Sequence, residues 1–171
     1  GVDLDHVVDS TGILERETLP KHLVVVGGGV IGCEFACMYA SVGIQVTVLE
    51  AMAEICPNLD AEVSETLREG LSKKGVAFKL GAKVESISSD KVSYSDESGS
   101  NELEADLVLV ATGRRPNTKN LGLEELGLDI DDRGGVRVDD RGATNIPGLW
   151  AAGDVTGQAW LAHAASRMAE V

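Results

Sequence analysis

The sequence is poor in aromatic and basic residues. Phe, Trp and Tyr make up 4% of its 171 residues, and 15 Lys and Arg stand against 28 Asp and Glu, a formal net charge of −13. A surface that follows a nucleic-acid backbone needs clustered basic side chains and stacking rings. The composition therefore argues against a nucleic-acid partner, and it implies that any bound phosphate is held by backbone groups.

Long apolar runs are also missing. No run approaches the roughly 20 residues of a membrane-crossing helix. The first residues lack the basic start and the apolar stretch of a secretory signal. We therefore expect no membrane partner and a cytoplasmic location, or a location in the mitochondrial matrix if the source is eukaryotic.

The sequence has only three cysteines, and their spacing matches no paired motif. Cys33, Cys37 and Cys56 show neither a zinc-type spacing nor a CxxC pair, so we predict neither a disulfide framework nor a metal site. Cys33 and Cys37 are four residues apart and would share a helix face, as a redox pair could. Small buried side chains that pack against a sheet are the favoured interpretation.

What the sequence does contain is a strand-helix-strand pattern. The apolar run 22–26 ends at three consecutive glycines, and apolar residues then recur at helical spacing over 30–42. A second apolar run, 44–49, ends at Glu50. This pattern predicts a βαβ unit with parallel strands.

Later segments extend this unit into a larger α/β domain. Asp60 can cap a helix that runs to about Lys74, and the apolar runs 76–80 and 106–111 predict two more strands of the parallel sheet. Short alternating segments between these runs suit a small antiparallel meander: 84–87, 91–95 and 102–104.

After Pro116 the sequence consists of short segments rich in Gly and Asp. A strand is predicted at 149–152 and a helix from about Leu161. Because this last helix has no terminating Gly or Pro, we expect the sequence to be part of a longer protein.

The glycine pattern Gly27-x-Gly29-x-x-Gly32 is typical of a dinucleotide site when it follows a strand and opens a helix. The glycines let the backbone turn, approach a pyrophosphate and pack the helix on the strand. Glu50 ends the next strand, where a carboxylate accepts hydrogen bonds from both ribose hydroxyls and repels the extra phosphate of NADP. Together these features favour NAD binding over an ordinary strand-to-helix turn with a solvated strand end.

Other polar positions have two interpretations each. Glu34, which we expect in the first turn of the helix and in a packed region, can interact with the helix dipole or serve a site. Asp154, at a predicted strand end, can accept hydroxyl hydrogen bonds from a second, sugar-bearing cofactor or belong to a cap or turn. For His163 the favoured interpretation is a packed helix residue.

Several ordered motifs cover nearly the whole chain: Ser10-Thr11-Gly12, Gly27 to Glu34, Val46 to Glu50, Ala111 to Asn117, Asn120 to Gly127, Ala152-Gly153-Asp154 and Leu161-Ala162-His163. In these motifs the sequence resembles the class I pyridine nucleotide-disulfide oxidoreductases, and among them the dihydrolipoamide dehydrogenases. The resemblance implies a Rossmann-like FAD/NAD(P)-binding fold. It implies an NAD-binding domain in residues 1–119 and a truncated part of the central, FAD-contacting domain in residues 120–171.

The resemblance also implies an activity. Such enzymes oxidise dihydrolipoamide on the lipoyl domain of 2-oxo-acid dehydrogenase complexes, pass electrons through a redox disulfide and FAD to NAD⁺, and form homodimers at full length. The positions that it assigns to NAD are Gly27, Gly28, Gly29, Val30, Ile31, Gly32, Glu50, Val84 and Gly113, with Glu34 near both nicotinamide and flavin. Those that it assigns to FAD are Asp154, Trp160, Leu161, Ala162 and His163.

The departures from the family pattern limit these expectations. The sequence has no CxxxxC disulfide motif, no second glycine-rich motif and no carboxyl-terminal His-Glu pair. We therefore predict no catalytic residue here, and we expect the isolated chain to bind NAD weakly and to catalyse nothing. Trp160 also stands where Met is usual. The alternatives are a soluble transhydrogenase, a mercuric or glutathione reductase, or a non-catalytic nucleotide-binding redox module.

Overall fold

A computed structural model describes residues 1–170. The chain forms two compact units, Gly1–Gly113 and a second that starts at Arg114. The sequence-based boundary, between 119 and 120, lies a few residues later. The segment 114–119 belongs to the second unit because, for example, the Thr118 hydroxyl donates to the Gly134 carbonyl at 2.8 Å.

The first unit contains two sheets and two helices. Its elements are β1 (Val7–Val8), β2 (His22–Val26), α1 (Val30–Ser41), β3 (Gln45–Glu50), α2 (Ala61–Lys73), β4 (Val76–Leu80), β5 (Lys83–Ile87), β6 (Lys91–Asp96), β7 (Gly99–Glu104) and β8 (Leu107–Val110). A parallel five-stranded sheet has the order β1-β8-β2-β3-β4, and β5-β6-β7 form an antiparallel sheet. The predicted α/β class and both predicted sheets are confirmed.

The alternation of side chains along the central strands builds a core on each face of the parallel sheet. On one face Leu23 and Val25 of β2 pack with Ala36 and Tyr39 of α1. On the other face Val24 packs in a cluster with Val92 and Tyr94 of the antiparallel sheet. The sheet is therefore covered on both faces, which explains why its strands are continuous apolar runs.

Local signals in the sequence set the bounds of the second helix. The Asp60 side chain accepts a hydrogen bond from the Glu62 amide at 3.0 Å and so caps α2, as predicted. Lys73 lies in its last turn, where a cation is favourable beside the exposed carbonyl groups.

One strand was missed in the sequence, and one strand prediction was wrong. β1 was not predicted because it has only two residues. The strand predicted at 149–152 is absent, and that segment makes a single bridge, from Trp150 to Ala143. Gly142 and Gly148, with φ of 74° and 83°, bend the two arms of this hairpin so that no ladder extends.

The second unit is built from turns. Among its described residues only a 3₁₀ turn (Asp154–Thr156) and a short helix, α3 (Ala162–Met168), are regular, and α3 agrees with the predicted helix. Asp131 accepts from the Arg133 and Gly135 amides, each at 2.8 Å, and Asp139 accepts from the Arg141 and Ala143 amides, each at 2.9 Å. Side-chain to backbone bonds of this kind stabilise turns without a ladder. No helix within residues 1–170 is long and apolar enough to cross a membrane.

A buried histidine links β2 to β3 and makes the stability depend on pH. His22 is 9% exposed, and its Nε2 hydrogen-bonds the Thr47 hydroxyl at 2.9 Å. Burial lowers the pKa of His22 below its usual value, and this outweighs the nearby carbonyl and carboxyl groups of Glu104 and Asp106, which act in the opposite direction.

We predict that acidification destabilises the fold through His22. Because its folded-state pKa lies below the unfolded value of 6.5, the unfolded chain takes up the proton first. The contribution of His22 is constant above about pH 6.5 and is lost progressively as the pH falls. Urea unfolding at pH 8 and pH 5.5 should show a smaller loss for His22→Gln than for the unchanged chain. The exposed His163, changed to Gln, is the control and should leave the pH dependence unaltered.

Candidate functional site: a glycine-lined cleft

A cleft of about 480 Å³ lies in the first unit, at the carboxyl ends of the parallel strands. It lies where the loops after β2, β3 and β8 meet, and ligands of open α/β sheets bind at such switch points of strand order. Its volume is within the usual range for small-molecule sites. The residues that line it are Val26, Gly27, Gly29, Leu49, Glu50, Ala51, Met52, Pro57, Asn58, Ala82, Lys83, Val84, Ala111, Thr112 and Gly113.

Two of the predicted glycines are required for packing. Gly27 has a φ of 108°, and a Cβ there would lie 2.5 Å from the Ala111 carbonyl oxygen. A Cβ on Gly32 would collide with the Gly27 carbonyl oxygen. These glycines let β2, β8 and the start of α1 approach each other, as the sequence pattern predicts.

Gly29 differs from both, since a Cβ there would have no protein atom within 4 Å. It lines the cleft and caps the N-terminus of α1, and no side chain caps this helix. The first amides of a helix have no partner within it and carry partial positive charge. Val30 and Ile31 follow in this first turn, so open space and free amide groups coincide at Gly29.

Glu50 lies beside this glycine loop rather than in solvent. The residue is 8% exposed, and its two carboxylate oxygens accept from the Gly28 amide at 2.6 Å and from the Met52 amide at 2.7 Å. The carboxylate therefore holds the loop after β2 to the loop after β3. Each oxygen has a second lone-pair direction with which it can accept from a ligand hydroxyl group.

The loop after β3 has a second anchor. Arg68 of α2 donates through Nε to both carboxylate oxygens of Glu54, at 2.8 and 3.0 Å. This contact lowers the pKa of Glu54. Because the pair is partly exposed, its contribution to stability is small, and its main effect is to orient residues 51–60 along the cleft.

Val84 and Gly113, which both come later in the sequence than the glycine loop, also line the cleft. Val84 lies at a bulge between β5 and β6, and bulges commonly re-aim side chains next to ligand sites. Gly113 follows β8 with a φ of 140°, a conformation that favours glycine. The structure therefore brings Gly27, Gly29 and Glu50 together with these two predicted residues.

Glu34 differs from its sequence-based description. We expected it in the first turn of α1 and in a packed region, but α1 begins at Val30 and has no acidic residue in its first turn. Glu34 lies just beyond that turn, is exposed, and is not among the residues that line the cleft. A helix-dipole role is thus ruled out by position.

The second unit has its own, smaller cavity of about 340 Å³. It combines cationic and acidic side chains with one indole: its lining is Arg114, Arg115, Pro116, Asp131, Asp132, Arg133, Gly157 and Trp160. Of the predicted FAD contacts only Trp160 belongs to this lining. Asp154 opens the 3₁₀ turn, and Leu161, Ala162 and His163 are exposed at the start of α3.

Sequence reasoning missed part of the cleft lining. Met52, Pro57 and Asn58 come from the irregular loop after β3, and Lys83 opens β5. None of them belongs to a glycine or strand-end motif. The only available signal was their position within ten residues of Glu50 or beside Val84, which does not distinguish cleft side chains from solvated ones.

Fold and cleft together define an α/β protein of the Rossmann type. Residues 1–169 match the family model described as pyridine nucleotide-disulphide oxidoreductase, and the chain belongs to this family.

Curated relatives carry a consistent name. The chain is 46% identical over 170 residues to dihydrolipoyl dehydrogenase 3 of Pseudomonas putida, with 96% of the chain and 36% of the relative covered. It is 42% identical over 160 residues to dihydrolipoyl dehydrogenase of Chlamydia pneumoniae, with 94% and 35% covered. The chain therefore spans about a third of the length of these relatives.

Solved structures agree with this assignment. The HOCl-induced flavoprotein disulfide reductase RclA of Escherichia coli matches with a TM-score of 0.89 and 36% identity, over 99% of this chain and 39% of that one. LpdA of Mycobacterium tuberculosis matches with a TM-score of 0.83 and 32% identity, over 94% and 35%. The Rossmann-like fold and the relation to dihydrolipoyl dehydrogenases predicted from the sequence are confirmed.

Proposed function

We propose that this chain is the NAD-binding part of a flavoprotein disulfide oxidoreductase of the dihydrolipoyl dehydrogenase type. The observation that carries the proposal is the open space at Gly29, which lines the cleft and begins α1 without a side-chain cap, while Glu50 ends the neighbouring strand. A pyrophosphate fits this position because backbone N–H groups and the helix N-terminus attract its charge. In this proposal the Glu50 carboxylate accepts hydrogen bonds from the hydroxyl groups of the adenosine ribose.

The charges around the cleft support NAD over NADP. Glu50 would repel a 2′-phosphate, and the nearest basic residue of α2, Arg68, is occupied by Glu54. Lys83 is the single cationic side chain in the cleft lining described above. It is a compact charge without the planar, bidentate geometry of Arg, so we assign it no role in selecting NADP.

The remaining reaction belongs to the whole protein and is proposed from the resemblance. FAD would contact the second unit through Asp154, Trp160, Leu161, Ala162 and His163, and would carry electrons between a redox disulfide and the nicotinamide. Dihydrolipoamide on the lipoyl domain of a 2-oxo-acid dehydrogenase complex is the proposed electron donor. A homodimer in the cytoplasm, or in the mitochondrial matrix of a eukaryote, is the proposed state.

A second candidate is a flavoprotein reductase that acts on a different disulfide. The likeness to RclA, itself named a disulfide reductase, favours it, as does Trp160 in place of the usual Met. Both candidates require the same dinucleotide site in the first unit, and they differ in the electron donor or acceptor.

We predict that the chain binds NADH more tightly than NADPH. Isothermal titration at pH 7.5 should give a preference of at least about tenfold, since a single repulsive contact with the 2′-phosphate is worth about 1.4 kcal/mol or more. AMP and 2′-phospho-AMP, which lack the nicotinamide half, are matched control ligands and should show the same preference. Equal affinity for the two dinucleotides would remove Glu50 as the selecting group.

A further inference from the structure

Two buried thiols converge on one carbonyl oxygen of the glycine loop. Cys33, in the first turns of α1, donates through Sγ to the Gly28 oxygen at 3.4 Å, and Cys56, in the loop after β3, does so at 3.6 Å. The Cys56 amide donates to the same oxygen at 2.9 Å. Both side chains are nearly inaccessible, with 4% and 3% exposure.

These contacts fix the Gly28 carbonyl while Glu50 fixes the amide of the same residue. The carbonyl of Gly28 and the amide of Gly29 belong to one trans peptide, so they point in opposite directions. When the carbonyl is turned toward the buried thiols, the Gly29 amide is turned away from them. Gly29 itself lines the cleft, and a Cβ on it would meet no protein atom within 4 Å.

We propose that Cys33 and Cys56 are positioning residues that orient the Gly28–Gly29 peptide for binding of the dinucleotide pyrophosphate. The inference rests on the proposed function of the cleft. It assigns to the thiols a hydrogen-bonding role on the opposite side of the loop from the ligand, with no contact to the ligand itself.

The protonation of the thiols fits this role. Burial raises the pKa of the Cys33 thiol to about 12 and also raises the pKa of Cys56. Both groups therefore keep their protons at neutral pH and remain donors, whereas a thiolate could only accept. A depressed pKa, which a reactive cysteine needs, is absent at both positions.

The backbone conformation of Cys56 also supports a positioning role. Its φ of 46° is in the left-handed region, which costs free energy for a residue with a Cβ. This conformation brings the amide and the thiol of one residue onto the same acceptor. Because Ala and Ser carry the same Cβ, substitutions by either residue leave this backbone cost unchanged and isolate the effect of the thiol.

The test compares paired removal of the thiols with their replacement by hydroxyl groups. We expect the double variant Cys33→Ala/Cys56→Ala to bind NADH roughly three- to tenfold more weakly, since two weak hydrogen bonds are lost. Cys33→Ser/Cys56→Ser, which keeps both donors, should stay within about twofold of the unchanged chain. The amide signal of Gly29 in ¹⁵N–¹H spectra without ligand should shift in the Ala pair and return toward its original position in the Ser pair.

Controls separate a positioning role from general packing. Cys37→Ala removes a half-buried thiol of the same helix that makes no contact with Gly28, and it should change neither the affinity nor the Gly29 signal. If the double Ala variant does not fold, the two single Ala variants carry the test, with a smaller loss each. An Ala pair with unchanged NADH affinity and an unchanged Gly29 signal would overturn the inference. Failure of the unchanged chain to bind NADH would instead overturn the proposed function, and the inference with it.

Discussion

Gly29→Val should abolish NADH binding and leave the fold intact. The new side chain meets no protein atom near its Cβ, and the φ of −72° at this residue suits Val. Its methyl groups would fill the space that we assign to the pyrophosphate. We expect affinity to fall more than about 100-fold, since two or more charge-assisted hydrogen bonds are lost, while the free energy of unfolding changes by about 1 kcal/mol or less. NADH titration and urea unfolding measure the two quantities.

Two other glycines give matched comparisons for this substitution. Gly70 lies on α2, also with no atom near an added Cβ, and Gly70→Val should leave NADH affinity unchanged. Gly32→Ala should act mainly on stability. Its Cβ would collide with the Gly27 carbonyl oxygen, and we expect the free energy of unfolding to fall by about 1–3 kcal/mol. Normal NADH binding by Gly29→Val would show that the ligand lies elsewhere.

The contrast between these glycines explains which parts of the site were predictable. Gly27 and Gly32 mark close backbone contacts between adjacent elements, and Gly29 marks the open position between them, so their fixed spacing can be recognised in the sequence. Glu50 was identifiable because it ends a strand at a fixed distance from that pattern. Its hydrogen bonds to Gly28 and Met52 were not, since they depend on how the loop after β3 folds back.

The cysteines show the same limit. Burial of Cys33 and Cys37 was expected from residue type; Cys33 is in the core, and Cys37 is partly buried against it. The sequence places Cys56 23 residues after Cys33, without periodicity to relate them. Only the fold of the irregular loop 51–60 brings both thiols onto the Gly28 carbonyl, and no local propensity encodes such a contact.

Local signals also explain which elements were predicted well. The central strands are buried on both faces, so their apolar runs and the glycines after them are strong signals. The second unit lacks this basis, because turns anchored by Asp131 and Asp139 replace ladders. There a short apolar run such as 149–152 predicts a strand, but the bends at Gly142 and Gly148 prevent one.

Glu50 accepts hydrogen bonds from the Gly28 and Met52 amides, and we propose that its charge also selects NAD. The choice of replacement decides which of these properties is lost. An Arg, the usual exchange for an NADP site, could accept no hydrogen bond and would leave the Gly28 and Met52 amides unpaired, with a cation buried between them. Gln is nearly isosteric and keeps one acceptor oxygen. Its NH₂ group must then face one of the two amides, donor against donor.

Glu50→Gln should therefore weaken the fold and the dinucleotide site together. We expect the free energy of unfolding to fall by about 2 kcal/mol, since one buried amide loses its acceptor. We expect NADH affinity to fall at least about tenfold, and the preference over NADPH to approach unity as the negative charge is lost. Glu65→Gln, an exposed change on α2, is the matched control and should alter none of the three. A Gln variant with unchanged stability would show that the carboxylate does not hold the loops, and retained selectivity would show that another group excludes the 2′-phosphate.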